Sequence, residues 1–214
     1  MVQFDGTVAA TITLVVGVLG CIINVNVGLA VRRCRKFGYA FGMLCLSQTI
    51  ANVGNCLVFA VMASGITLIN PEWHYTYVGR RLGQLLIFFW EVTIFSHLFI
   101  SANRGIAVSF PTKYNRFFSD RNITKILVGT IWLLSALQAT PYAFPICSQQ
   151  FDPVSFTLAY AEGWCGELTA KYGDLTVSLI VVACITFLDI ASFIRLYQLR
   201  KSNTDCGQFV SLEN

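Results

Sequence analysis

Residues 37–71 carry no charged side chain, thirty-five positions in a row. Across the chain 55% of residues are apolar and 12% are charged, against about 25% charged in an ordinary soluble domain. Five stretches, near 7–31, 39–64, 82–103, 126–145 and 175–194, are apolar enough to lie in hydrocarbon. A helix of about 20 residues crosses the roughly 30 Å of lipid tails. Backbone N–H and C=O groups find no water there, so such segments close their hydrogen bonds within a helix. The expected fold class is all-α, an integral membrane helical bundle of five spans. The first stretch is too long for the apolar part of a signal peptide. It also has no basic residue before it and no small-residue cleavage site followed by a polar domain.

Charge gives the expected orientation. With the N-terminus outside, twelve of the fifteen Lys and Arg fall on the cytoplasmic side, at 32, 33, 35, 36, 104, 113, 116, 121, 125, 195, 200 and 201. Only 80, 81 and 171 fall outside, where acids stand at 5, 72, 152, 162, 167 and 174. Such a bias follows the positive-inside rule and puts the C-terminus in the cytoplasm, with the plasma membrane as the expected location. The basic residues sit in short loops rather than in a patch with interleaved aromatics, so nucleic acid is not an expected partner. Lys113, Arg116, Arg121 and Lys125 form a basic loop suited to anionic inner-leaflet lipid or to an acidic protein surface. The sequon Asn122-Ile123-Thr124 falls on the cytoplasmic side in this orientation and is expected to carry no glycan.

The third stretch closes on Asn103-Arg104-Gly105, with Pro111 seven residues after the arginine and Tyr114 ten after it. This pattern resembles the cytoplasmic signature of rhodopsin-like G-protein-coupled receptors. The wider wording, Ser96-His97-Leu98-Phe99-Ile100-Ser101-Ala102-Asn103-Arg104, resembles the nematode serpentine chemoreceptors of class X (Srx). The resemblance covers roughly residues 17–200. It implies a partial seven-transmembrane receptor domain over 1–200, cut after the fifth span, with 201–214 as a cytoplasmic tail. It implies an external small-molecule ligand and a heterotrimeric G protein as partners. Arg104, Pro111 and Tyr114 would then stand at the coupling surface. Arginine suits that place because it keeps its charge in every state.

Two departures matter. The family usually has an acid before the arginine and an aromatic after it; Asn103 and Gly105 stand there instead. Asn103 cannot form the resting ion pair, so a weaker lock or a different partner for Arg104 is expected. Asp189, in the cytoplasmic half of the fifth stretch, is a candidate to cross the bundle and replace the acid.

Gly17, Cys21, Asn24 and Gly28 share one stripe of the first helix, where small residues admit a neighbour and Asn24 can bond across the contact. Asn52 follows Asn24 by 28 residues and precedes Arg104 by 52, spacings similar to the rhodopsin-like pattern. The resemblance implies a polar network between spans one, two and seven, with Asn52 in place of the usual Asp. Glu91 lies thirteen residues before Arg104, about 20 Å along a helix. An ionisable group at that depth faces the bundle interior or a cavity. Glu91 is read either as a ligand-pocket residue or as a buried helix–helix hydrogen-bond partner. His97 is read as packing or as a relay. Trp132, with Pro141 nine residues on, is similar to the family's mid-helix Trp and outer Pro, and also fits a lipid-facing aromatic before a helix end.

No cysteine occurs from 57 to 146, so the usual tie from the outer start of span three, near Gly79, is not expected. Cys147 and Cys165 are the two cysteines clearly outside, where disulfides persist. They are expected to pair and close a lid within the loop at 146–169. No C-x-x-C or H-x-x-x-H pair suggests a metal, and no cofactor is expected. The G-x-S-x-G, H-E-x-x-H and paired-Asp patterns of hydrolases are absent, so an enzyme is not expected. Other readings are a non-signalling five-span receptor fragment and, with Glu91, His97 and Asp189 as an ion path, a transporter or channel component. Against the last, the chain shows no inverted repeat and no broken helix pair.

Overall fold

The computed structural model describes residues 6–34, 38–118 and 120–210. Asp5, Arg35 and Lys36, counted above in the charge bias, lie outside the described residues, and so do the side chains of Arg116 and Cys206. Among the described residues five helices are long and apolar enough to cross a membrane: Gly6–Arg33, Tyr39–Ile69, Tyr77–Ser109, Arg121–Ala139 and Trp164–Lys201. They are spans one to five. The short helix Pro111–Phe118 joins spans three and four.

Span one packs on span two and span two on span three; span three also touches spans four and five. Span three is therefore the central post. Its 33 residues make about 50 Å of helix at 1.5 Å per residue, longer than the hydrocarbon alone requires. The core joins Leu44 and Ala51 of span two, Val92 and Ile100 of span three and Ile131 of span four, with Phe88, Phe89 and Trp132 packed against it. Apolar side chains on the outer faces, such as Val16 and Ile23 of span one and Phe187 and Phe193 of span five, are exposed. In a bilayer that surface meets lipid tails, so close packing and hydrogen bonds hold the helices to one another.

The span ends follow local chemistry. Span two widens into a π-helical turn at Ala60–Ile66 and stops at Asn70, whose side chain accepts a hydrogen bond from the Glu72 N–H at 3.1 Å. Pro71 then opens the tight turn Pro71–Tyr75. Span four starts at Arg121, capped by Asp120, whose carboxylate accepts from the Asn122 N–H at 2.8 Å. The expected end near 145 is corrected: the helix stops at Ala139. Proline lacks the N–H that would continue the ladder and its ring crowds the carbonyl four residues back. Pro141 and Pro145 each open a separate 3-10 turn.

A two-stranded antiparallel hairpin, absent from the expected all-helical plan, fills the loop between spans four and five. Strand β1 (Gln149–Asp152) pairs with β2 (Thr157–Tyr160) in the register Gln149↔Tyr160 to Asp152↔Thr157. Asp152 holds the turn, accepting from the Val154 N–H at 3.0 Å and the Ser155 hydroxyl at 2.6 Å. Phe156 adopts a left-handed φ of 56°, uncommon for a bulky residue; its ring packs edge-on to Phe151, 4.9 Å away. Phe151 in turn is buried among Val58, Met62, Ala63 and Leu86 of spans two and three. The hairpin thus folds down into the bundle. Gly83 makes that possible: a Cβ there would sit 2.0 Å from the Gln149 carbonyl oxygen. A disulfide joins Cys147, just before β1, to Cys165 in the first turn of span five.

His74 is fully buried beneath the hairpin, its ring 5.1 Å from that of Phe151. Its Nε2 lies 2.9 Å from the Thr67 hydroxyl. Burial pulls the ring below its ordinary pKa of 6.5, against the weaker pull of Asp152. The unfolded chain therefore takes up this proton before the folded one does, and stability falls as pH drops below about 6.5. Asp152 is held below the usual carboxylate range, first by the Ser155 hydroxyl and then by the Val154 N–H. Its stabilising share is lost only at lower pH, in the carboxylate range below about 4. His97, the other histidine, is exposed. Thermal unfolding of the purified protein between pH 7 and 5 should show a falling Tm that His74→Gln flattens. An unchanged slope in the variant would assign the loss to another group.

Candidate functional site

Three of the polar contacts along span three link it to neighbouring spans below the hairpin. At the first, spans one, two and three meet through amides. Asn52 Nδ2 donates to Asn24 Oδ1 at 3.1 Å, and Asn24 Nδ2 donates to the Gly20 carbonyl at 2.8 Å. Thr93 of span three lies 3.2 Å from Asn52 Oδ1 and accepts from Asn55 Nδ2 at 3.2 Å. The network implied for spans one, two and seven is here one of spans one, two and three. Thr93 and Asn55 were not singled out in the sequence, although Asn55 stands one turn after Asn52 on the same face.

The second contact joins spans two, three and four. Trp132 Nε1 donates to the Ser47 hydroxyl at 2.9 Å, and Ser47 lies 3.4 Å from the Ser96 hydroxyl. Trp132 therefore points into the bundle. Its ring also packs edge-on to Phe88, 5.7 Å away.

At the third, Arg104 Nη2 donates to Asp189 Oδ1 of span five at 3.0 Å, and lies 3.4 Å from the Ser101 hydroxyl. The pair is about half exposed on both sides. Asn103, beside Arg104, turns inward and is 2% exposed. Gly105 explains why span five comes so near: a Cβ there would already be 3.2 Å from the Ser192 hydroxyl. Asp189 is one helical turn before Ser192. Pro111 begins the short helix after span three, and Tyr114 stacks on Phe118 at 5.1 Å within it. The structure does not bring Pro111 or Tyr114 to the Arg104–Asp189 contact through any described side-chain bond.

Toward the hairpin, a cavity of about 420 Å³ opens between spans two, three and five. Asn52, Asn55, Trp90, Thr93, Gln149 and Asp174 line it, with Phe59, Leu86, Ile87 and Leu158 as its apolar wall. The amide network is thus also a cavity wall. Asp174 accepts a short hydrogen bond from the Tyr160 hydroxyl, and its other oxygen lies 3.5 Å from the Ser178 hydroxyl. Ser178 accepts from Trp90 Nε1 at 3.3 Å. Burial, followed by the hydrogen bond to Asp174, raises the Tyr160 hydroxyl above its ordinary pKa, so it stays a donor. Glu91 does not line this cavity. It is fully buried one turn beyond Ile87, and among the described residues neither carboxyl oxygen has a hydrogen-bond partner.

A helical membrane bundle whose central helix carries a polar network, a cavity and a terminal arginine has the make-up of a seven-helix receptor. Residues 14–209 match the family described as serpentine type 7TM GPCR chemoreceptor Srx, and the chain belongs to that family. It is 25% identical over 198 residues to serpentine receptor class X 45 of Caenorhabditis elegans, covering 92% of this chain and 54% of that one. It is 28% identical over 206 residues to serpentine receptor class X-43 of the same organism, covering 92% and 61%. Melatonin receptor type 1A of Gallus gallus is 26% identical over 196 residues, covering 88% and 52%. The chain spans between 52% and 61% of the length of these relatives. They are receptors, not enzymes.

A double-mutant cycle on Asn24→Ala and Asn52→Ala, read by unfolding in mixed micelles, should give a coupling of about 0.6–1.7 kcal/mol, the range of interhelical hydrogen bonds in membranes. Strictly additive losses would show that the two amides do not support each other.

Proposed function

We propose that this chain is the ligand-binding and coupling part of a chemosensory receptor. A small molecule from outside enters the cavity between spans two, three and five. A heterotrimeric G protein meets the opposite end, at Arg104 and the short helix carrying Pro111 and Tyr114. In this reading residues 1–200 are the receptor domain and 201–214 a cytoplasmic tail. The N-terminus and the hairpin face outward from the plasma membrane, and the basic residues of the loop before span four face inner-leaflet lipid. The observation that carries the reading is the unbroken helix Tyr77–Ser109, which supplies Leu86, Ile87, Trp90 and Thr93 to the cavity and Arg104 to the far end. A shift or tilt of that one helix links the two ends without any intermediary.

The resting lock is the Arg104–Asp189 pair. Asn103 is turned away and carries no charge, so the counter-charge comes from span five. A half-exposed ion pair is worth at most about 1 kcal/mol, so the lock is weak and easily opened. Glu91 is then a buried acid of the bundle interior rather than a ligand contact, and the Cys147–Cys165 bond holds the lid over the cavity.

The test is a calcium or cyclic-nucleotide reporter in cells that display the receptor on their surface. Asp189→Asn should raise basal output by up to about fivefold, the factor that corresponds to about 1 kcal/mol. Arg104→Ala should abolish ligand responses at equal surface amounts. Full responses in Arg104→Ala would contradict coupling through this end.

A further inference from the structure

The cavity's hydrogen-bonding groups are lopsided. Each of these donor groups in its lining already makes one hydrogen bond inside the protein: Asn52 Nδ2 on Asn24, Asn55 Nδ2 on Thr93, and Trp90 Nε1 on Ser178. Its acceptors are not used up. Asn55 Oδ1 and Gln149 Oε1 are buried with no partner among the described residues, and Gln149 is only 1% exposed. Asp174 also lines the cavity, and among the described residues it has no basic partner; the described ion pair is Arg104–Asp189. A buried amide oxygen without a donor is costly, and a carboxylate on a largely apolar cavity favours a counter-charge. The rest of the lining, Phe59, Leu86, Ile87 and Leu158, is apolar.

A ligand that completes this site must donate several hydrogen bonds, carry positive charge and present an apolar body. An ammonium group offers three donors and no acceptor. A carboxylate would meet acceptors and a like charge. We propose that the cavity takes a protonated organic amine with an apolar body, its ammonium taken up by the Asp174 carboxylate and the unpaired oxygens of Gln149 and Asn55. The proposal rests on the cavity being the ligand site, and it adds the chemical class.

The experiment uses the whole chain in lipid nanodiscs and follows thermal unfolding against 2-phenylethylamine, 2-phenylethanol and phenylacetate. These three share a ring and a short chain and differ in the polar end. The amine should raise Tm saturably, with an apparent Kd at least tenfold below that of the alcohol, and phenylacetate should give no shift. Asp174→Asn, which keeps the side-chain shape, should bring the amine-to-alcohol ratio close to one while its unliganded Tm stays near that of the unaltered protein. The ratio in the unaltered protein decides the matter even where the variant folds poorly. Equal, saturable shifts from amine and alcohol would overturn the amine class while leaving the cavity a ligand site. No saturable shift from any of the three would overturn both.

Discussion

Hydrocarbon offers no hydrogen bonds, so a polar group within the spans is stabilised by a partner in the protein. Several of the partners that join one span to another are on span three. Thr93 meets Asn52 and Asn55 of span two, and Asn52 in turn holds Asn24 of span one; Ser96 approaches the Ser47–Trp132 pair of spans two and four, and Arg104 binds Asp189 of span five. Each contact fixes one neighbour against the same helix at a different height. Apolar surface alone could not do this, because lipid tails satisfy apolar side chains as well as a neighbouring helix does.

Small residues set how closely the helices and the hairpin approach that post. At Gly83 and Gly105 the missing side chains admit the β1 backbone and span five. The two departures from the family's usual wording at the arginine therefore belong together. Asn103 gives up the local acid, and Gly105 lets a distant one come within 3.0 Å. The missing cysteine tie near Gly79 has a similar replacement: a hairpin seated on Gly83 and Phe151, with a disulfide from Cys147 to the head of span five.

Much of the bundle is legible in the chain because long uncharged runs have few other outcomes. The end of span four was not, since the apolar run through 145 outlasts the helix, and Pro141 stops it first. The hairpin was not legible either. Gln149–Asp152 and Thr157–Tyr160 are too short and too mixed for a period-two pattern to stand out; tertiary packing of Phe151 makes them strands. Among site residues, Asn24 stood out on its stripe of small residues, and Asn52 by its spacing to Asn24 and Arg104. Thr93 did not, since threonine in a helix usually bonds its own backbone, as it also does here with the Phe89 carbonyl at 2.9 Å. Asp174 stood out only as one of the outer acids and Gln149 not at all, and only the inward fold of the hairpin brings them to one cavity.

Span five docks on span three at Gly105 and so supplies Asp189 to Arg104. Paired cysteines test it directly: Gly105→Cys with Ser192→Cys, in membranes, with a protease site between the two spans to reveal a cross-link. Disulfide formation should be rapid under a mild oxidant, and absent when the partner at 105 is moved to 129 in span four. A pair at 105 and 192 that stays unlinked while the protein remains folded would contradict it.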